Sequence, residues 1–261
     1  MSIDERSVAI QIKLENIMAE RIQKFLAQCG LASRRQIEQW IKEQRITING
    51  ELASLGAKIE VTDQICVDNK PITTKAVPEE TRVLLYHKPV CEVCTRYDPE
   101  GRITVFSTLP LLTEGRWIVV GRLDYNTSGL LLFSNNGELV NKLAHPRYGL
   151  EREYRVRVYG EVDAETIRRL LEGVELEDGM AAFKTIVPGL YRGRNQWFKV
   201  TLAEGRNRIV RRLWDSQGFV VNRLERIRFG SIRLPEDLEV GEYRFLAKTD
   251  IEKLLNASHI L

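Results

Sequence analysis

A polar stretch with the sequence TTKAVPEET, at residues 73–81, divides the chain into two segments that each carry their own apolar periodicity. The stretch contains a proline and no apolar repeat, which is typical of a linker between domains. A chain of 261 residues is long enough for one small domain and one of medium size. The sequence therefore predicts a small domain over 20–72 and a larger one over 82–261. Residues 1–19 fit a strand and a helix equally and are treated as an N-terminal extension.

The first segment predicts two helices followed by short strands, a small α+β module. Apolar residues recur at helical spacing over 22–29. Ser33 is placed as the N-cap of a second helix, with Gln36 as its capping-box partner. Asn49-Gly50 then predicts a tight hairpin turn between two strands.

The second segment predicts a larger α+β domain in which strands and helices are interspersed. Strands are predicted at 82–87, 117–121, 130–134, 153–159, 196–203 and 224–229. Helices are predicted at 136–144, 163–172, 206–217 and near 249–256. Within the strand at 153–159, apolar and basic residues alternate, so that one face is apolar and the other is basic and aromatic.

Composition excludes several classes of protein. Hydrophobic residues make up 43% of the chain, which is ordinary for a folded globular protein. No apolar run approaches the roughly 18 residues of a membrane-spanning helix. The first residues carry acids and no apolar core of a signal peptide, and four cysteines are too few for a disulfide scaffold. A cytoplasmic protein that does not contact a membrane is expected.

Charge is concentrated locally although the net charge is only +3. Between Gly205 and Arg233 there are eight arginines and two acidic residues. Arginine binds phosphate through a planar fork and stacks on bases, so this distribution favours a nucleic-acid partner. A solvated basic face is the alternative. Arg34 and Arg35, on the second predicted helix of the first module, add cations there.

Metal and nucleotide motifs are absent from the sequence. The chain has three histidines and no phosphate-binding P-loop or dinucleotide fingerprint. Cys91 and Cys94 form a Cys-x-x-Cys pair, but zinc needs two further ligands that the spacing does not supply. We interpret the pair as incidental small strand residues, and we expect no metal and no organic cofactor.

The segment GRLDYNTSGLLLF, residues 121–133, places a carboxylate on a tight loop between two apolar strands. Asp124 follows the first strand, and Asn126 with its polar neighbours can hold the loop through bonds to the backbone. Functional residues are often found on such loops. The alternative is an aspartate that caps an ordinary hairpin.

The segment EGRNRIVRRLW, residues 204–214, predicts an arginine-rich helix. On that helix Arg208, Arg211 and Arg212 lie three and four residues apart and would share one face. A helix start that opens with glycine and carries arginines suits an anionic ligand. A solvated helix face is again the alternative.

These two segments, with LEREYRVRV between them and NRLERIRFG after them, resemble the ribosomal RNA pseudouridine synthases of the RsuA/RluB family. The resemblance covers about 82–247, and residues 20–72 resemble the small RNA-binding module called the α-L motif. YDPEGRITVFSTLP, at 97–110, makes the chain more similar to the members that act on the RNA of the large ribosomal particle. The resemblance implies a mixed, mainly antiparallel sheet flanked by helices in the larger domain.

The resemblance also implies an activity and its partners. The family isomerises a chosen uridine of ribosomal RNA to pseudouridine without metal, nucleotide or organic cofactor. The similarity at 97–110 implies 23S RNA, at position 2605, as free ribosomal RNA or within a large-subunit precursor particle, and a monomeric enzyme. The sister activity on 16S RNA and a non-catalytic ribosome-assembly factor are alternatives. A combination of Asp124, Tyr154 and Arg211 favours the enzyme, because a pure binding protein needs no carboxylate in an anion-binding cleft.

Roles for individual residues follow from the resemblance alone. Asp124 matches the essential aspartate, Tyr154 the tyrosine that lies against the uracil, and Arg211 the arginine that pairs with the aspartate. Leu224 matches the aliphatic residue under the base, and Arg122 is expected to fill the vacated stack or bind a phosphate. The remaining expected RNA contacts are Asn126, Arg208, Arg212, Arg34 and Arg35.

Overall fold

The computed structural model describes residues 20–60, 62–72, 80–113 and 115–256 of the chain. The chain divides into two compact units. One comprises the residues up to Thr81 together with Leu111–Arg116, and the other comprises Arg82–Pro110 and Trp117–Leu261. The predicted N-terminal extension and most of the predicted linker lie outside the described residues. The assignment of 111–116 to the first unit had no signal in the sequence.

The first unit contains two helices and two small antiparallel sheets. Its elements are β1 (Glu20–Arg21), α1 (Ile22–Gln28), α2 (Arg34–Lys42), β2 (Ile46–Ile48), β3 (Glu51–Leu52), β4 (Lys58–Ile59), β5 (Ile65–Val67) and β6 (Lys70–Pro71). β1 pairs with β4, and the other four strands form a sheet in the order β3-β2-β5-β6. The core contains Ile22, Leu26, Ile37 and Ile46, all fully buried.

The predicted helix cap and hairpin turn of this unit are both present. The backbone N–H of Gln36 donates to Ser33 Oγ at 3.1 Å, which satisfies one free N–H of the first turn of α2. Asn49 and Gly50 have φ of 52° and 87°, the left-handed pair that a tight hairpin requires. β2 and β3 pair directly on either side of this turn.

The second unit is built on one nine-stranded sheet with helices on its faces. Its strands are β7 (Val83–Lys88), β8 (Ile118–Val120), β9 (Ser128–Ser134), β10 (Arg152–Tyr159), β11 (Val174–Leu176), β12 (Gly179–Ala181), β13 (Thr185–Arg192), β14 (Asn195–Leu202), β15 (Val220–Phe229), β16 (Ile232–Arg233) and β17 (Tyr243–Phe245). The main order is β13-β14-β10-β15-β9-β7-β17, with β16 beside β15 and β8 beside β9, while β11 and β12 form a separate hairpin. Only the β15–β9 pair is parallel among these described strands, so the expected mixed, mainly antiparallel sheet is confirmed.

Four helices of this unit follow the predicted positions. They are α3 (Gly137–Ala144), α4 (Ala164–Glu172), α5 (Ile209–Asp215) and α6 (Lys248–Asn256). The start of α5 differs from the prediction of a helix over 206–217. β13 was not predicted because Pro188 and Gly189 interrupt it, and its exposed edge position tolerates both. Within the described residues, no helix is long and apolar enough to cross a membrane.

The parallel contact between β9 and β15 depends on a glycine. Gly129 has a φ of 105°, and a Cβ there would lie 2.3 Å from the carbonyl oxygen of Arg226. Only glycine therefore allows the two backbones to approach this closely. The contact places the loop that precedes β9 beside the middle of β15.

Candidate active site

A cleft in the second unit lies where the loop between β8 and β9 meets β10, β15 and the start of α5. Its cavity volume is about 390 Å³. Five of the residues singled out in the sequence line it: Arg122, Asp124, Tyr154, Arg208 and Leu224. Strands and loops that are distant in the sequence thus bring these predicted residues together.

Asp124 lies in the turn of the loop at the cleft. The backbone N–H of Thr127 donates to the carbonyl of Asp124 at 3.0 Å, which closes this turn. The side chain of Asp124 is half-buried. Asp124 lines the cleft, and among the described residues nothing forms an ion pair or hydrogen bond with its carboxylate.

Lys88 fixes this loop from beneath, and the sequence analysis did not identify it. Its Nζ donates to the carbonyls of Thr127 at 3.0 Å and Asp124 at 3.3 Å. The side chain is fully buried, and burial lowers the pKa of Lys88. One sequence feature could have identified Lys88: it ends an otherwise apolar strand and precedes Pro89. A lysine buried in such a strand needs specific hydrogen-bond acceptors, which indicates a structural role.

Arg211 holds the other side of the loop, but not through the expected ion pair. Its two terminal nitrogens donate to the carbonyls of Asn126 and Val221, each at 2.8 Å. No ion pair joins it to Asp124 in the described part of the chain. The guanidinium is directed at backbone carbonyls on either side of it, so the prediction of a direct pair is wrong. Burial lowers the pKa of Arg211, and the nearby charge of Asp124 acts in the opposite direction.

The prediction that Arg208, Arg211 and Arg212 share a helix face is also wrong. Arg208 has a left-handed backbone with φ of 49° and precedes the first residue of α5, so it projects separately into the cleft. Arg212 turns away and forms an ion pair with Asp178 at 2.5 Å. The exposed Asp178 also binds Arg206 at 3.0 Å. Arg212 is therefore occupied by a protein carboxylate rather than directed at the cleft.

The floor of the cleft is apolar and aromatic. Tyr154 and Leu224, on the neighbouring strands β10 and β15, are 8% and 4% exposed. Phe229 lies further along β15, with the guanidinium carbons of Arg152 and Arg226 each 5.2 Å from its ring centre. A flat apolar floor beside a carboxylate suits a planar base.

Two buried arginines that the sequence did not point to also line the cleft. Arg226 is 2% exposed, and its Nε donates to the carbonyl of Leu130 at 2.8 Å. Arg152 donates to the carbonyl of Leu150 at 2.7 Å, and burial lowers the pKa of Arg152. Neither has a carboxylate partner among the described residues. Position 226 lies in the NRLERIRFG segment, but its burial depends on the distant β9.

The electrostatic character of the cleft follows from these side chains. The cations that line it are Arg122, Arg152, Arg206, Arg208 and Arg226. The acids are Asp124 and Glu204, and Arg206 binds Glu204 at 2.5 Å. The cleft is thus cationic around one available carboxylate, which fits a polyanionic ligand.

Cys91 and Cys94 pack against the same loop and are not incidental strand residues. The backbone N–H of Cys91 donates to the carbonyl of Tyr125 at 2.8 Å. Cys94 Sγ donates to the carbonyl of Leu123 at 3.2 Å, and burial raises the pKa of this thiol. Within the described ranges no group of three or more His, Cys, Asp or Glu side chains could hold a metal ion.

The other predicted RNA contacts lie outside the floor of the cleft. Arg34 and Arg35 are exposed in the first turn of α2, in the first unit. Asn126 is exposed on the loop, where its carbonyl accepts the hydrogen bond from Arg211. Arg122 is exposed at the edge of the cleft.

Comparison with known families defines the class of protein to which this fold and this cleft belong. Residues 82–216 match the family model described as RNA pseudouridylate synthase, and residues 20–65 match the S4 domain. The chain belongs to the RNA pseudouridylate synthase family and carries an S4 domain before the synthase domain.

Individual relatives have more specific names than the family model. The chain is 53% identical over 240 residues to ribosomal large subunit pseudouridine synthase B of Pseudomonas aeruginosa, covering 91% of this chain and 62%, less than two thirds, of that protein. It is 51% identical over 251 residues to the protein of the same name from Pasteurella multocida, covering 95% and 73%. A solved pseudouridylate synthase superposes with a TM-score of 0.63 at 28% identity, covering 90% of this chain and all of the other.

Proposed function

We propose that this chain isomerises a uridine of 23S ribosomal RNA, at position 2605, to pseudouridine. The observation that carries the proposal is the available carboxylate of Asp124 in a cationic cleft beside Tyr154 and Leu224. It occurs in a chain that is 51–53% identical to proteins named large subunit pseudouridine synthase B.

The reaction breaks the bond from N1 of uracil to C1′ of ribose and forms a bond from C5 to C1′. The proton on C5 is lost, and N1 gains one, so the product is an isomer. Asp124 acts either as a nucleophile or as a base that takes a ribose proton, and both roles use its ionised form. Tyr154 lies against the uracil and accepts the C5 proton. Leu224 packs under the ring.

Lys88 and Arg211 act as positioning residues in this proposal. They bind the backbone carbonyls of the loop on both sides of Asp124. Such bonds hold the carboxylate in one place before substrate arrives, which avoids the cost of ordering it during reaction.

Reaction at a paired base requires its extrusion from the helix. Unstacking and unpairing cost a few kcal/mol, and stacking on an aromatic platform recovers about 1–3 kcal/mol. Arg122, Arg208, Arg152 and Arg226 supply cations for the phosphates that flank the extruded nucleotide. The alternative role of Arg122 is to help hold the vacated stack instead of a phosphate.

The domain organisation suits a tethered reaction on a large RNA. Residues 20–72 bind RNA through exposed cations that include Arg34 and Arg35. Residues 73–81 connect this module to residues 82–261, which catalyse the isomerisation. Tethering raises the effective concentration of the cleft near its target. The substrate is ribosomal RNA or a large-subunit precursor particle, and the enzyme acts in the cytoplasm as a monomer without metal or organic cofactor.

Mapping pseudouridines in cells that lack this protein tests the proposal. Carbodiimide treatment followed by reverse transcription should show the loss of one modification, in 23S RNA. The wild-type gene should restore it, and Asp124→Asn should not. Loss of a 16S modification, or restoration by Asp124→Asn, would contradict the proposal.

A further inference from the structure

The strands that build the cleft carry a second surface on the opposite side of the sheet. Successive residues of a strand point to opposite faces. Tyr154 lines the cleft, so its neighbour Arg155 faces away from it. We call this opposite surface the far face and define it by Arg155, Arg157, Trp197, Lys199 and Arg223, on the adjacent strands β10, β14 and β15.

Cations lie directly opposite one another across this face. Arg157 is registered with Arg223, and Arg155 is registered with Lys199. Like charges in directly opposite positions destabilise a sheet. Glu225 offsets Arg155, at 2.5 Å. Arg157, Arg223 and Lys199 have no ion pair among the described residues, so their repulsion favours an anion from outside.

A groove with an aromatic wall lies beside two of these cations, Arg155 and Lys199. Its cavity volume is about 400 Å³, and its lining includes Trp197, Val187 and Leu190. The guanidinium carbons of Arg155 and Arg157 are 5.6 and 5.8 Å from the indole. Leu190 and Val187, both on the edge strand β13, are 82% and 48% exposed, so they form an apolar patch beside Trp197 in this groove.

We propose that the far face binds a single-stranded segment of the RNA substrate, separate from the segment held in the cleft. Cations contact the phosphates, and a base stacks on Trp197 or packs against Val187 and Leu190. Single-stranded RNA is bound in this way on sheets that combine aromatic platforms with basic side chains. This inference rests on the proposed function, because it takes ribosomal RNA to be the substrate.

The phosphate contacts are tested with Arg157→Gln/Lys199→Gln. The control is Arg244→Gln/Lys253→Gln, which removes equal charge from exposed positions outside the far face. Two transcripts serve as probes: a short stem-loop with the target uridine, and the same stem-loop extended by a single-stranded flank. For the extended transcript we expect about tenfold weaker binding and a slope of log affinity against log salt lower by about 1.4, the value for two single-strand phosphates. For the short stem-loop, affinity and rate at saturation should stay unchanged.

The stacking contact is tested with Trp197→Leu and Trp197→Phe. Oligouridylate should quench the tryptophan fluorescence of the wild type, and the part of that quenching due to the far face should be lost in both variants. By anisotropy, Trp197→Phe should keep the affinity for labelled oligouridylate that Trp197→Leu loses, since only the aromatic replacement can stack.

Some outcomes overturn the inference while leaving the proposed function intact. If the wild type forms pseudouridine and the far-face variants bind the extended transcript as tightly as the control does, the far face does not bind RNA. If they bind RNA normally but associate less with ribosomal proteins, its partner is a protein. If the wild type forms no pseudouridine in ribosomal RNA, the proposed function fails instead.

Discussion

The two faces of the sheet formed by β10 and β15 hold their arginines in different ways. On the cleft side, Arg152 and Arg226 are buried and donate to backbone carbonyls. On the far face, Arg157 and Arg223 are at least partly exposed and have no ion pair within the described residues. Fixed cations suit chemistry, because reacting groups must be placed before substrate binds. Exposed cations suit contact with a flexible strand, because they can adjust to it.

The largest effect should come from Asp124→Asn. The change is nearly isosteric but removes the ionised oxygen that every proposed role uses, so single-turnover formation of pseudouridine should fall about 10³-fold or more. RNA affinity should stay within about twofold. Asp237→Asn is the matched control, because it removes an exposed carboxylate that pairs with Arg244 outside the cleft, and it should leave turnover unchanged. A rate for Asp124→Asn within tenfold of the wild type would remove it from catalysis.

Arg211→Met should cost about 10²-fold in single-turnover rate. The loss of its bond to the carbonyl of Asn126 releases one side of the loop, and a displacement of about 1 Å costs this much. The salt dependence of RNA binding should hardly change, because Arg211 is already engaged by the protein. Arg212→Met is the control: its guanidinium binds Asp178, so both turnover and salt dependence should stay near those of the wild type. A lower salt slope for Arg211→Met would make it a phosphate contact.

The contrast between Arg211 and Arg212 indicates what the sequence could predict. Asp124, Tyr154 and Leu224 were expected in one site because of the family resemblance, whereas residue spacing alone left Asp124 open to a second interpretation as the cap of an ordinary hairpin. The ion pair of Arg212 with Asp178 joins residues far apart in sequence, and the left-handed backbone at Arg208 starts the helix later than its periodicity indicates. Neither can be inferred from residue spacing.

Lys88 illustrates the same limit, and Lys88→Met should destabilise the second unit by about 1–3 kcal/mol. The substitution keeps the apolar stem but leaves buried carbonyls of the loop without a donor. Urea unfolding measures the loss, and turnover should fall with it since the Asp124 loop is no longer held. Lys253→Met, at an exposed position, is the control. Equal stability of Lys88→Met and the wild type would show that Lys88 does not hold the loop.

A smaller effect should come from His87, which lies beneath the far face. Its Nε2 is 3.3 Å from Glu225, a contact that raises the pKa of His87 and lowers the pKa of Glu225. The contribution of His87 to the free energy of unfolding is complete below pH 6.5, the ordinary pKa of histidine. It is lost as the pH rises through the raised pKa. The contribution of Glu225 to the free energy of unfolding is complete above pH 4.5, the ordinary pKa of glutamate. It is lost as the pH falls through the lowered pKa. The free energy of unfolding should therefore gain most from the pair between pH 4.5 and 6.5. His87→Gln should flatten the profile above pH 6.5, and an unchanged profile would contradict this.

Removal of metal ions by a chelator should leave turnover unchanged, which is the smallest of these expected effects. Cys91 and Cys94 lie against the Asp124 loop, so a metal ion bound by them would hold that loop as Lys88 and Arg211 do. A tetrahedral zinc site needs two further ligands, and the described residues provide no cluster that supplies them. Turnover after dialysis against a chelator should equal that of the untreated enzyme, and Cys91→Ser should retain it. Loss of activity that zinc restores would mean that a metal, and not the two cations alone, fixes the loop in the cleft.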